Sequence, residues 1–272
     1  TMKLLATIAG CMALAALAFT PATAAAQAWP TKPVRIVVPF PPGGSTDLLA
    51  RRIAEKLAAP LGQAVIVENK PGAGGTVGAD HVAKSPADGH TLLVGVTGPN
   101  AIAATLYAKL PYDPAKDFDP VTLIVSAPLV VVSNANVPGA TLADFIAHAK
   151  ANPGKLTHGS PGNGTSMHLT GEMFAQASGT KLNHVPYKGS AGPLQDLLGG
   201  QIDAMFGDVL VVLPHVKEGK LKAYAVTSRQ RHPMLPEVPT MAESGFADFE
   251  ALSWQGLFTP AGTPDRKSTR LN

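Results

Sequence analysis

Cysteine is nearly missing from this 272-residue chain: the single one, Cys11, falls inside an N-terminal segment that reads as an export signal. Once that segment is removed, disulfides, thiol nucleophiles and thiolate metal sites are excluded. Catalytic and cofactor signatures are equally scarce. The sequence holds no G-x-S-x-G elbow, no H-x-x-x-H pair, no G-x-G-x-x-G turn and no P-loop. Parts of a hydrolase exist as Ser45 or Ser166, His168 and Asp208, but a two-residue separation does not place Ser166 and His168 on one helix face. His158, His168 and His184 lack both metal-ligand spacing and a carboxylate-rich shell, so neither a metal nor a cofactor is expected. An excess of one charge is also absent. The formal +3 arises outside residues 27–264, which carry 18 Lys/Arg against 18 Asp/Glu. With no basic block, binding of nucleic acid through a charged surface is not expected.

What is present begins with Met2 and Lys3, an apolar run from Leu4 to Phe19, and small residues through Ala28. These are the three regions of a secretory signal, with cleavage expected after Ala26 and Ala28 as the alternative. The chain is therefore expected in the periplasm. At the other end, DRKSTRLN (265–272) has three cations and one apolar side chain, and a further element is expected where this tail stands.

Three glycine-rich loops each sit between a strand-like and a helix-like run: VRIVVPFPPGGSTDLLARRIAEKL, AVIVENKPGAGGTVGADHVAK and LTHGSPGNGTSMHLTGEMFAQ. Val34 to Val38 reads as a buried parallel strand. Ser45 or Thr46 can cap a following helix with Leu48, Leu49, Ile53 and Leu57 as its apolar stripe, ended by Gly62. Strands are expected at Val65 to Val67 and Thr91 to Val96, with a short helix from Thr76 to Lys84 between them. Phe118 to Val125 reads as a strand, and Leu129 to Val132 as the opening of a second cycle. In that cycle Thr141 can cap a helix, and Thr165 to Ala177 and Pro193 to Leu198 are helical. This rhythm predicts two doubly wound α/β domains around a cleft, with a single domain as the alternative. All the glycine loops fall at the C-terminal ends of strands, where such folds bind ligands.

Helix starts expose unpaired N–H groups and attract anions. In the first loop, Pro42 stiffens the approach, Gly43 and Gly44 allow close backbone contact, and Gly44, Ser45 and Thr46 offer donors. Asp47 is expected to receive backbone N–H bonds or to order a bridging water. In the second-cycle loop, Ser160, Thr165 and Ser166 are neutral donors for a carboxylate. Gly162, Asn163 and Gly164 make a tight turn, which Asn163 can serve alone. Tyr187, Gly189 and Ser190 lie just past another strand, while Lys188 can point to solvent. Asp208 reaches the same end of the sheet and can accept from a ligand hydroxyl or ammonium group, or hold a helix start.

Read together, WPTKPVRIVVPFPPGGSTDLLAR (29–51), GQAVIVENKPGAGGTVGADHVAKSPADGHTLL (62–93), HGSPGNGTSMHLTGEMF (158–174), HVPYKGSAGPLQDLLGGQIDAMFGD (184–208) and LPEVPTMAESG (235–245) closely resemble the receptors of the tripartite tricarboxylate transporter family, the Bug or TctC-like proteins. The resemblance covers roughly 29–264. It implies a periplasmic-binding-protein-like Venus flytrap that captures a small organic acid and hands it to a membrane permease pair, without turnover. A sensory binding module for a small acid is the alternative function. It further implies ligand contacts in the loops of Pro42 to Asp47, Gly162 to Ser166 and Tyr187 to Ser190. The implied division is a signal peptide over 1–26, domain I over 27–125, domain II over 126–227, and a return to domain I over 228–264. The tail 265–272 is then not native. A monomer is expected. His158 stands where the family commonly has an aromatic residue.

Overall fold

The computed structural model describes residues 29–268. The expected export signal lies outside the described residues. The chain first lays down β1 (Val34–Val38), α1 (Ser45–Leu61), β2 (Val65–Asn69), α2 (Thr76–Ala83) and β3 (Thr91–Val96), then a π-turn over Gly98–Ile102 and α3 (Ala103–Leu106). β1 runs parallel to β2 on one side and β3 on the other. Its apolar run is continuous because both faces are covered. Ile36 and Val38, with Leu92 and Val94 of β3, pack with Ala50 and Ala54 of α1. Val37 and Leu93 point the opposite way, toward Ala79 and Val82 of α2.

α1 departs from the expected leucine stripe. Its buried line is Ala50, Ala54 and Leu61, and Leu48 is 45% exposed. Ile53 and Leu57 pack at the margin of the core. Alanine on the sheet-facing line lets the helix axis approach the strands closely, which a row of leucines would prevent. The expected hydroxyl cap is also absent: Gly44 occupies the N-cap position, with Ser45 already inside the helix. Gly62 ends α1 with φ +63°, as its position suggests.

The two strands expected around residues 118–132 are one, β4 (Phe118–Asn134). Pro120 and Pro128 lie within it, although proline cannot donate to a ladder. The strand accommodates them with register shifts between Pro120 and Thr122 and between Leu123 and Val125. It then changes partners at Pro128, and this continuity joins the two halves of the fold.

Beyond β4 come α4 (Leu142–Ala151), β5 (Thr157–Ser160), α5 (Ser166–Ser178), β6 (Asn183–Pro186), α6 (Ala191–Leu198), β7 (Ala204–Asp208), α7 (Val209–Lys217), β8 (Leu221–Val226), β9 (Leu252–Pro260) and a last turn, α8 (Asp265–Ser268). Thr141 caps α4 through a reciprocal box with Asp144. The sheet order is β2-β1-β3-β9-β4-β7-β5-β6, with β8 also on β4. β4 pairs with β9 up to Pro128 and with β7 and β8 from there on, all antiparallel. β5 is parallel to both β6 and β7. Phe145, Phe174, Phe206 and Tyr224 centre the second core. Among the described residues, no helix is long and apolar enough to cross a membrane.

Candidate functional site

The strand ends of both halves converge on one small cavity. Ser45 and Thr46 reach it from the start of α1, Thr165 and Ser166 from the start of α5, and Ser190 from the start of α6. Asp208 enters from the end of β7, and Ser253 and Gln255 from β9. Phe40, Val96, Gly98, Pro161 and Met167 complete the lining, which contains no lysine, arginine or histidine. First-turn N–H groups have no carbonyl four residues back, so three helix starts bring unpaired donors to one place. The cavity measures about 30 Å3, which admits roughly one or two water molecules.

A chain of side-chain hydrogen bonds crosses the cavity wall. The Ser166 hydroxyl donates to Ser253 Oγ at 3.2 Å. Ser253 and Ser45 both donate to the Asp208 carboxylate. Gln255 Nε2 then donates to Ser45 Oγ at 3.4 Å. Burial pushes the Asp208 carboxyl up from its ordinary value, against the opposing pull of the two serines. Ser45, Asp208, Ser253 and Gln255 also border a larger cavity of about 430 Å3, walled elsewhere by Leu49, Val209, Leu210, Leu213, Met234 and His232. That apolar backing is part of what makes charge on Asp208 costly.

The first loop is held from below by Asp47. Asp47 is buried, and its carboxylate accepts from Gly43 N at 3.0 Å, from Arg51 Nε at 2.9 Å and Nη2 at 3.0 Å, and from Asn69 Nδ2 at 2.9 Å. Asn69 Nδ2 also donates to the Phe40 carbonyl. Burial alone would raise the Asp47 pKa, but the bonds from Arg51, Asn69 and Gly43 outweigh it and hold the group below the ordinary carboxylate value. Asp47 therefore braces the loop through the backbone bond that its sequence position suggested, and it does not line the cavity. Gly43, at φ +91°, makes the turn that aims its N–H at Asp47.

Pro42, Gly44 and Gly189 shape the loops without lining the cavity; a Cβ on Gly189 would come 2.7 Å from Pro41. Gly162, Asn163 and Gly164 form the expected turn, and the Asn163 carbonyl abuts Gly74, where a Cβ would collide with it. Thr165, rather than Ser166, caps α5: it accepts from His168 N at 3.4 Å and donates to the Gly162 carbonyl at 2.8 Å. Tyr187 turns its hydroxyl to Asp196 Oδ2 at 2.5 Å. Lys188 is exposed.

Ser160 is fully buried and bonds His184 Nε2 at 2.6 Å. This serine–histidine pair lies beneath the loop and outside the cavity lining, which does not suit nucleophilic attack on a bound substrate. His184 is sandwiched between His158, with ring centroids 4.9 Å apart, and His168, at 4.0 Å. His158 also meets the edge of Phe206 at 5.8 Å. Burial lowers His158 and His184 to about 4, and lowers His168. Glu172 Oε1 lies 3.6 Å from His158 Nε2 and 3.8 Å from His168 Nε2, too far for hydrogen bonds. The stack supports the loop from below: His184 holds Ser160, which accepts from Gly162 N, and His168 Nδ1 accepts from Gly164 N. Among the described residues, no cluster has metal-holding geometry.

Sequence reasoning missed Ser253 and Gln255. They sit in an ordinary strand sequence, LSWQGLF, with no glycine turn or helix start to mark them.

Comparison with known proteins gives a consistent picture. Residues 49–272 match the family model described as "Tripartite tricarboxylate transporter family receptor". A protein of the tcbD-tcbE intergenic region of Pseudomonas sp. (strain P51) is 42% identical over 94% of this chain and 77% of its own length. Protein BugT of Bordetella pertussis is 40% identical over 99% of this chain and 82% of its own. The solved periplasmic binding protein BugD superposes with a TM-score of 0.86 at 40% identity, covering 89% of this chain and 81% of that one. Two structures from Rhodopseudomonas palustris match as well. Rpa4515 with adipate has a TM-score of 0.87 at 38% identity, over 89% of this chain and 81% of that chain. MatC with bound malate has a TM-score of 0.86 at 37% identity, over 89% of this chain and 83% of that chain. The fold is that of these periplasmic binding proteins: two wound α/β halves about a cleft.

Proposed function

This chain belongs to the tripartite tricarboxylate transporter receptor family, and from that premise we propose that it captures a small organic acid in the periplasm and delivers it to a membrane permease pair. The observation that carries the reading is the convergence of three helix starts, from α1, α5 and α6, on a cavity with no cationic side chain. A carboxylate bound there is met by backbone N–H groups and hydroxyls rather than by a counter-ion, and charge-assisted bonds replace its lost water. Adipate and malate, bound by two of the similar proteins, are acids of this kind.

The proposed cycle is one of opening and closure. A cavity of about 30 Å3 is too small for a dicarboxylate. The acid therefore enters with the halves parted, and its bonds to both favour the shut state. In this reading residues 27–125 and 228–264 move as one domain and 126–227 as the other, and the protein works as a monomer. It binds one equivalent of ligand and returns it chemically unchanged. Isothermal titration against mono-, di- and tricarboxylates tests the proposal. One acid bound at one site, recovered intact by mass spectrometry, is the expected result. Silence across the panel from a folded sample, or conversion of the acid, rejects it.

A further inference from the structure

The imidazole of His168 reaches back to the turn that precedes its own helix. Its Nδ1 accepts from Gly164 N at 3.2 Å. A backbone N–H can only donate, so Nδ1 carries no proton and the neutral ring holds its hydrogen on Nε2. The turn fixed in this way is central to the site. Pro161 before it and Thr165, Ser166 and Met167 after it line the cavity. Within it, the Gly162 carbonyl accepts from the Thr165 hydroxyl, and Gly162 N donates to Ser160 Oγ. Its outer face lies against the first half of the fold: a Cβ on Gly98 would come 3.1 Å from the Gly164 carbonyl oxygen. A shift of the turn is therefore felt both in the cavity lining and across the cleft.

A proton added at Nδ1 would set two donors face to face across that 3.2 Å, turning an attraction into a repulsion. The ring is open to such a proton, since its side chain is 17% exposed. Glu172, one turn further along α5, brings Oε1 to 3.8 Å from Nε2. His184 of β6 stacks on the ring at 4.0 Å, with His158 of β5 on its far side. Tyr107 places its hydroxyl beside Gly164. We propose that His168 is a positioning residue for acid capture: the neutral ring sets the Gly162–Gly164 turn for the ligand, and protonation at Nδ1 releases the turn and weakens binding. The direction opposes simple electrostatics, because a new cation near the site would by itself attract an anion. Burial lowers His168 from its ordinary 6.5, which keeps the ring neutral at pH 7 and above. This inference rests on the acid-receptor reading above and adds control of the same site by pH.

Malate and adipate are the first probes, followed by the wider carboxylate panel, each titrated calorimetrically between pH 8 and 5. His158 and His184, lowered to about 4, stay neutral over most of that range. His168→Asn puts Oδ1 where Nδ1 stood, an acceptor that does not titrate, and His168→Ala supplies none. Between pH 8 and 5 the wild type should lose about three- to tenfold in affinity relative to His168→Asn, the worth of one hydrogen bond. That ratio cancels the titration of the acid itself. His168→Ala should bind more weakly than the wild type at pH 8, and His168→Asn should recover most of the loss; thermal melts confirm that both are folded. A second readout needs no variant. An acid that depends on the Gly164 bond must lower the His168 pKa when it binds, whereas an anion acting through charge alone would raise it. An NMR titration of the imidazole with and without the bound acid reads the sign. A pKa raised by the acid, or wild-type and His168→Asn profiles that superimpose, overturns the inference while the acid-receptor reading stands. If no carboxylate binds to folded protein, that reading fails and the inference fails with it.

Discussion

Ser45, in the first turn of α1, donates its hydroxyl proton to Asp208 at the end of β7, 163 residues further along the chain. The bond joins the first glycine loop to the second half of the fold, directly across the cavity. It makes Ser45 a link between the two halves as well as a helix-start residue. Ser45→Ala should weaken acid binding by about tenfold, the worth of one bond to a charged partner. The fold should survive, because Gly44 and not Ser45 holds the N-cap position. Calorimetric affinity together with a melting curve checks this, and an unchanged affinity would remove Ser45 from the site.

Asp208 makes a second prediction, about stability. Its folded pKa lies above the unfolded one because burial disfavours the charge. A group shifted this way contributes stability that is complete below the unfolded pKa, near 3.8, and is lost as pH rises through the folded value. As pH rises above the unfolded value the protein therefore carries a cost for keeping this carboxyl buried. Asp208→Asn should raise the ligand-free melting temperature there by about 2 °C or more, with the gap closing toward pH 4. Equal melting curves at pH 8 would show that the wall bears no such cost.

Asp47 has the opposite sign. Its pKa is lowered by its bonds to Arg51, Asn69 and Gly43, so its contribution is present above the unfolded pKa and lost as pH falls through the folded one. Asp47→Asn removes the charge and places an NH2 group among donors that need acceptors. Urea unfolding at pH 7 should show a loss of about 1–3 kcal/mol, the cost of leaving buried donors unpaired. The loss should shrink as the wild-type carboxylate is itself protonated. A loss that stays constant down to pH 2 would mean that shape rather than charge holds the loop.

These loops show how far the sequence could be read. Glycine, hydroxyl residues and strand-terminal position were enough to locate the starts of α1, α5 and α6, because those features follow from local backbone needs. Roles within a loop were less visible. Asp47 looked available to a ligand until Asn69, at the end of the next strand, came to lie beneath it. Ser253 and Gln255 gave no local sign, since they matter only because β9 is inserted between β3 and β4. The expected gap between the strand ending at Val125 and the one starting at Leu129 falls where β4 exchanges β9 for β7 and β8 as partners.

The histidine stack predicts acid sensitivity. His158 and His184 fall to about 4 in the folded chain from an ordinary 6.5, chiefly by burial. The unfolded chain therefore binds protons between those values while the folded one does not, so stability declines as pH drops from 6.5 toward 4. His158, 1% exposed, can account for up to ~3 kcal/mol of the decline. His158→Phe should keep the packing against Phe206 and flatten the profile in that window, measured by denaturation between pH 7 and 4. An unaltered slope would place the sensitivity elsewhere.

The last prediction concerns the crossing between halves, where Thr227 ties three segments together. Its N–H donates to the Leu129 carbonyl at 2.9 Å, and its own carbonyl accepts from Ala251 N at 3.0 Å. Its hydroxyl accepts from Leu129 N at 2.8 Å and donates to the Ala251 carbonyl at 2.6 Å. The residue is fully buried, so water does not readily replace these bonds. Leu129 is where β4 changes partners, and Ala251 leads into β9, which lines the cavity. Thr227→Val keeps the shape but removes the hydroxyl, leaving a buried donor on Leu129 and an acceptor on Ala251. It should cost about 1–3 kcal/mol in urea unfolding and speed amide exchange at Leu129. Thr227→Ser should restore most of both. If serine is as damaging as valine, the methyl group and not the hydroxyl secures the crossing, and the four-bond knot is incidental to how the halves are joined.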